Sequence, residues 1–289
     1  MRIIDGTAIA NEILSHVKGA ISHLKHRKPG LAFILVGNHP ASRSYIKMKR
    51  QKCDEVGILS FDHEFPDDIS EEDLLREIDE LNDNPEVDGI LLQLPLPKHL
   101  SAITAMESIT PEKDVDGFHP INVGKMLIGD PSGFLPCTPH GIQVLLTHSQ
   151  IPLLGKHVVI IGRSNIVGKP LAAILMQKTP HCNATVTVAH SMTENLKQIC
   201  QSADILVAAI GKPKFITRDM VKPGSVVIDV GINRLTTPSG KPLIVGDVDF
   251  EHVAPLCHAI TPVPGGVGPM TIAMLMSNTL LSYQRRENA

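Results

Sequence analysis

Tyr45 and Lys49 can both move a proton, and they stand four residues apart, so a helix would put them on one face. That face also takes Ser42 and Lys52 and is not simply apolar. From spacing alone, a solvated basic helix over Lys47-Met48-Lys49-Arg50-Gln51-Lys52 is the more economical account. Gln93 is a polar residue near the end of the apolar run Gly89–Leu94, inside Gln93-Leu94-Pro95-Leu96-Pro97. Ligands in open α/β sheets bind beyond the carboxyl ends of strands, so Gln93 is either a site residue or one satisfied by turn backbone. Lys113-Asp114-Val115-Asp116-Gly117 offers a carboxylate for a ligand, though aspartate before glycine most often makes a turn. Thr261–Pro269 mixes rigid prolines with three glycines. Those glycines let a backbone approach a ligand closely, so the loop could lie against a nicotinamide, or act as a hinge between domains, or both.

A further stretch of this kind is His157–Pro170, HVVIIGRSNIVGKP. Its unbroken β-branched run suits a strand buried on both faces of a parallel sheet. Gly168-Lys169-Pro170 suits the opening of a helix, where proline's missing N–H has no partner to lose. The loop between, Gly162-Arg163-Ser164 to Gly168, is where a dinucleotide's pyrophosphate would meet free backbone N–H groups. It departs from G-x-G-x-x-G by a serine at the middle glycine and by one extra residue, so alone it could be only a tight turn.

The elements around these residues alternate strand and helix. Helices are expected from about Thr7 to Lys25, Ser42 to Val56, and Ser70 to about Asn84. Strands are expected at Leu31–Val36, Ile58–His63 and Gly89–Leu94. After the glycine loop come strands at Ala184–Ala189, Asp204–Ile210 and Ser225–Val230, with a capping box at Ser191-Met192-Thr193-Glu194. The first half is thus one βαβ array and the second is half of a doubly wound sheet. A helix from Met270 to about Gln284 could return to the first domain and make it discontinuous. In such sheets a carboxylate closing the second strand holds the 2′-hydroxyl of NAD; here the strand ends in His190-Ser191, and Arg163 lies in the loop. A 2′-phosphate would meet a cation and a hydroxyl, which favours NADP over NAD.

The chain has 289 residues, 43% of them hydrophobic, enough for two globular domains. A net charge of −3 without a block of like charge gives nucleic acid and anionic membranes no purchase. No apolar span approaches membrane length. Five scattered cysteines point to neither zinc nor disulfides, and read as reduced thiols in the cytoplasm. His16, His23 and His26 lie near one face of the first helix, where solvated histidines are the simpler reading and no metal is expected.

Taken in order, these strings resemble the bifunctional methylenetetrahydrofolate dehydrogenase/methenyltetrahydrofolate cyclohydrolase family, the FolD type. The resemblance runs over essentially the whole chain. It is carried by Val36-Gly37, Pro40-Ala41-Ser42, Tyr45 and Lys49, the Gln93 and Asp116 strings, and Cys137-Thr138-Pro139. Gly162–Pro170, Gly246-Asp247-Val248-Asp249 and Pro262–Thr271 complete it. It implies a two-domain α/β protein with an active-site cleft between the domains. An N-terminal three-layer folate domain would span 1–138, completed by helix 270–289, and a Rossmann-type NADP domain would span 139–269. Lys49 would be the catalytic lysine, assisted by Tyr45 and Gln93. Asp116 would anchor the pterin of tetrahydrofolate derivatives, with Pro264 and Gly265 also at the substrate. Gly162, Arg163, Ser164, Gly168, Ser191 and Ile232 would hold NADP. A cytoplasmic homodimer serving one-carbon metabolism and purine biosynthesis is implied too, with a monofunctional dehydrogenase as the alternative. A nucleotide-sensing binding protein would be expected to lose the first-domain residues, and an amino- or hydroxy-acid dehydrogenase would not need Gln93 and Asp116 together.

Overall fold

A computed structural model describes residues 1–236, 240 and 242–287. The chain divides into two compact units, Met1–Ala10 with Thr138–Thr271, and Asn11–Cys137 with Ile272–Ala289. In chain order the elements of the first half are β1 (Arg2–Ile3), α1 (Gly6–Ser22), β2 (Gly30–Val36), α2 (Pro40–Val56), β3 (Leu59–Phe65), α3 (Glu71–Asp83), β4 (Gly89–Leu92), α4 (Ala102–Ser108) and α5 (Pro120–Ile128). The second half adds α6 (Cys137–His148), β5 (His157–Ile161), α7 (Gly168–Leu175), β6 (Thr185–Ala189), α8 (Leu196–Gln201), β7 (Ile205–Ala208) and β8 (Val226–Asp229). It ends with β9 (Asn233–Thr236), β10 (Pro242–Val245), α9 (Phe250–Val253), β11 (Ala259–Ile260) and α10 (Val267–Glu287).

The unit built on Asn11–Cys137 has a three-stranded parallel sheet, ordered β3-β2-β4. Every residue of the central β2 is buried, as its unbroken apolar run requires. Helix α3 lays Leu74, Ile78 and Leu81 against this core at helical spacing. Its start is capped as the sequence suggests, the Ser70 hydroxyl accepting from the Asp73 N–H at 3.0 Å. Because β3 and β4 flank β2 on opposite sides, the chain reverses direction across the sheet at the carboxyl ends of β2 and β4. Gln93 sits there, its N–H on the Ile34 carbonyl at 2.9 Å.

The other unit has a six-stranded parallel sheet in the order β1-β11-β8-β7-β5-β6. Its switch point lies between β5 and β7, which continue to β6 and β8 in opposite directions. Two expectations are corrected here. Residues 1–10, assigned to the first domain from sequence, pack with this sheet, because β1 pairs in parallel with β11 and the Ile4 N–H meets the Ile260 carbonyl at 2.8 Å. The capping box at Ser191–Glu194 opens no helix, since the Thr193 hydroxyl turns back to accept the His190 N–H at 2.9 Å. Helix α8 starts only at Leu196, after Asn195 at a left-handed φ of 54°.

Candidate active site

Helix α2 begins with Pro40 in its first turn and ends at Gly57, whose φ of 92° makes the left-handed cap. Its inner face buries Ser42, Ile46, Cys53 and Val56, and Tyr45 and Lys49 lie half-buried beside them. The basic run is therefore not one solvated stripe. Arg50 pairs with Asp62 at 3.0 Å and Lys52 with Glu55 at 2.6 Å, while Lys49 turns inward. Its Nζ donates to Gln93 Oε1 at 3.2 Å. The Gln93 amide is held in that orientation because its Nε2 donates to the Leu94 carbonyl at 2.7 Å.

Asp116 supplies the opposing charge. Burial lowers the Lys49 pKa from its ordinary value, while the Asp116 carboxylate pulls it back up. Burial likewise raises Asp116, opposed first by Lys49 and then by the neighbouring Cys137 thiol, which itself donates to the Val115 carbonyl at 3.3 Å. An ammonium kept short of water gives up its proton more readily than an exposed lysine, and the nearby carboxylate restrains that shift.

The loop bearing Asp116 is shaped from three sides. Asp114 accepts from the N–H groups of Gly117 at 3.1 Å, Phe118 at 3.2 Å and His119 at 2.8 Å, and from the Asn122 amide at 2.9 Å. Lys113 reaches back to the end of α3, donating to the carbonyls of Leu81, Asn82 and Asn84 at 2.6–2.9 Å. From α10, the buried Asn278 amide donates to the Val115 and Leu135 carbonyls at 2.8 and 3.2 Å and touches Cys137 Sγ at 3.7 Å. Sequence reasoning gave no separate role to Cys137, Asp114 or Asn278. The signal for Asn278 is a lone amide within the apolar run of α10.

In the other unit, the Gly162–Gly168 loop opens at the switch point of the six-stranded sheet. Gly162 has φ of 125°, and a Cβ there would fall 2.1 Å from the Ala209 carbonyl oxygen. A Cβ on Gly168 would fall 2.1 Å from the Gly162 carbonyl oxygen, so the loop closes on itself tightly. The Ser164 hydroxyl accepts from the N–H groups of Val167 at 3.1 Å and Gly168 at 3.4 Å, and residues 163–166 face solvent. Arg163 and Ser191 are exposed. Ile232 is 42% exposed, with its Cδ1 3.7 Å from where a Gly268 Cβ would stand. Pro264 and Gly265 also belong to this unit. The Gly265 carbonyl accepts the Thr7 N–H at 3.1 Å, and a Cβ on Gly6 would fall 1.8 Å from the Gly266 carbonyl oxygen.

A tight glycine loop at the switch point of a doubly wound sheet is the architecture of a dinucleotide-dependent enzyme, and here a second α/β unit adds its own lysine–carboxylate site. Family models bear on both parts of the chain. The tetrahydrofolate dehydrogenase/cyclohydrolase catalytic domain matches residues 4–116, and the NAD(P)-binding domain of the same family matches residues 136–287. The chain belongs to the tetrahydrofolate dehydrogenase/cyclohydrolase family. It is 58% identical over 288 residues to the bifunctional protein FolD of Protochlamydia amoebophila, covering 99% of both chains. Among solved structures it is similar to the bifunctional FolD methylenetetrahydrofolate dehydrogenase/cyclohydrolase of Campylobacter jejuni. That match has a TM-score of 0.94 and 49% identity over 99% of each chain. The FolD of Trypanosoma brucei, solved with NADP cofactor and an inhibitor, matches with a TM-score of 0.93 and 37% identity, over 99% of this chain and 98% of that one.

Proposed function

We propose that this chain oxidises 5,10-methylenetetrahydrofolate to the methenyl form with NADP and then hydrolyses that product to 10-formyltetrahydrofolate. The observation that carries the reading is Lys49, its pKa lowered by burial, with Nζ 3.2 Å from Gln93 Oε1 and Asp116 opposing it. Both activities are in the printed names of relatives that align over nearly the whole chain.

The two steps ask different things of the protein. Removing hydride from a carbon between two nitrogens leaves a cation that both nitrogens share, so the residues need only orient the folate. Asp116 would hold the pterin, accepting from its amino and ring N–H groups. Bound NADP supplies the hydride acceptor. The Gly162–Gly168 loop fits its pyrophosphate, because the close approach of Gly162 and Gly168 leaves backbone rather than side chains facing the ligand. Arg163 and Ser191 would take the 2′-phosphate, with Ser164 at the loop and Ile232, Pro264 and Gly265 nearer the reacting end.

Hydrolysis needs a proton carrier. Lys49 in its neutral form takes a proton from the attacking water and, as the ammonium, returns one to the leaving ring nitrogen. Gln93 orients it and Tyr45 assists from the preceding turn. An unperturbed lysine would be neutral less than about once in a thousand at pH 7, and burial is what raises that fraction. The reading carries with it a cytoplasmic homodimer that supplies one-carbon units, including those for purine biosynthesis. Among the described residues no helix is long and apolar enough to cross a membrane.

Lys49→Met tests the assignment, because it keeps most of the side chain's length and removes the proton carrier. Methenyltetrahydrofolate hydrolysis should fall by about 10²–10⁴, the usual worth of a positioned acid–base group. The dehydrogenase should remain measurable, and methenyltetrahydrofolate should accumulate. Equal loss of both activities in folded protein would make Lys49 a substrate-holding residue instead.

A further inference from the structure

The unit with the six-stranded sheet has a second concavity, at the end of the sheet away from the glycine loop. A cavity of about 270 Å³ opens where β7 and β8 begin. Dinucleotides bind beyond the carboxyl ends of strands, and this cavity lies at the amino ends. Its floor is apolar, formed by Ile151, Ile205 and Val226, all buried. Polar groups stand around that floor. Ser225 is only 3% exposed, and its hydroxyl has no hydrogen-bond partner among the described residues. An unpaired buried hydroxyl is unfavourable, and Ser225 leaves one in the lining.

The charges on the rim do not cancel. Asp204 is the lining's carboxylate, and both its oxygens are occupied, Oδ1 by Lys222 Nζ at 2.8 Å and Oδ2 by the His157 N–H at 3.0 Å. Lys156, also in the lining, has no carboxylate within ion-pair distance among the described residues. Two ammonium groups, Lys222 and Lys156, therefore act on one carboxylate beside an apolar floor, with the His258 ring also in the lining.

We propose that this cavity binds a small organic anion, a carboxylate carried on a flat apolar body. The carboxylate meets Lys156, and the body lies on Ile151, Ile205 and Val226. A single negative charge matches the one positive charge that two lysines leave over one aspartate, whereas inorganic phosphate would bring more charge and no apolar surface. This site is independent of the folate reading.

Benzoate is a suitable probe, titrated into the full chain while the methyl resonances of Ile151 and Ile205 are followed by NMR. Those resonances should shift saturably, equally with and without saturating NADP. Uncharged benzamide and inorganic phosphate should bind more weakly. Lys156→Ala should weaken benzoate binding by about tenfold or more, while Lys156→Arg should stay within about threefold of the parent. Unchanged methyl spectra of the free variants show that the fold is kept. The proposal is overturned if no saturable shift is seen, if Lys156→Ala binds as the parent does, if NADP displaces benzoate, or if either control binds as tightly.

Discussion

Lys49 owes its lowered pKa and its Gln93 contact to the way α2 presents it. Arg50 and Lys52 of that helix pair with carboxylates, whereas Lys49 turns inward to the amide of Gln93 at 3.2 Å. Its lowered pKa has a consequence for stability. The folded protein binds a proton at Lys49 less well than the unfolded chain does. Stability therefore rises with pH through the window from the lowered folded value up to the ordinary lysine pKa of about 10.4. Lys49→Met should raise the melting temperature at pH 7, with the gain shrinking as pH climbs through that window. A melting temperature unchanged or lowered at pH 7 would mean that the ammonium is not penalised there. Asp114 acts at the same scale through the loop it gathers. Asp114→Asn keeps one acceptor but sets an N–H against the His119 N–H, at a cost of about 1–3 kcal/mol in the loop. If Asp116 anchors the folate, the apparent KM for folate should rise in both steps with kcat nearly kept. Steady-state kinetics separate this from a loss confined to hydrolysis, which would place Asp114 in the proton chemistry.

At the scale of elements, the glycine loop works because backbone stands where side chains would. The Cβ of Gly168→Ala would fall 2.1 Å from the Gly162 carbonyl, so the turn into α7 must shift. Displacement of this kind near a binding loop can cost about 10²-fold, and NADP affinity measured by calorimetry should fall by that order. On the proposed reading, Arg163 in the glycine loop and Ser191 just after β6 set the cofactor preference. Ser191→Asp should weaken NADP relative to NAD by about 10–10²-fold, the worth of one opposed charge in partly solvated surroundings. Better use of NAD by the parent protein would exclude Arg163 and Ser191 as a 2′-phosphate site. Gln93 makes the same point for the smaller sheet. It stands just past the carboxyl end of β4, the side of an open α/β sheet on which ligands bind.

At the scale of the whole molecule, one buried carboxylate holds distant segments of the Asn11–Cys137 unit together. Asp88 is 0% exposed and accepts from Arg27 at 2.6 and 2.7 Å, from Arg286 at 2.9 Å and from the Gly30 N–H at 2.8 Å. These bonds join the start of β2, the approach to β4 and the end of α10. Asp88→Ala would remove the carboxylate that two guanidinium groups share, leaving Arg27 with Glu287 at 3.2 Å and Arg286 with the Val87 carbonyl. The expected loss is about 3–5 kcal/mol, read as a lower urea midpoint. A change below about 1 kcal/mol would mean that solvent replaces the carboxylate adequately, as at an exposed pair.

The sequence by itself determined the parts that local pattern controls. The β-branched run ending at Gly162 could only be a buried strand meeting a tight turn, and the apolar run before Gln93 ended at a polar residue that propensity does not explain. Ser70 announced the start of α3 because an N-cap is a contact between neighbours in the chain. The ordered strings from Pro40 to Pro269 identified the family. Tertiary structure decided whatever depends on partners far apart in sequence. From spacing, Lys49 looked like one cation in a solvated row; Gln93, 44 residues away, makes it different. Thr193 looked like part of a helix cap until its hydroxyl took the His190 N–H. The two residues of β1 are too few to be read as a strand alone, and they become one by pairing with β11, more than 250 residues later. Asn278 likewise gained its role from the carbonyls of Val115 and Leu135, which no helical periodicity can foresee. Local rules cover contacts within a turn or two, whereas a buried polar group is defined by whichever distant atom satisfies it.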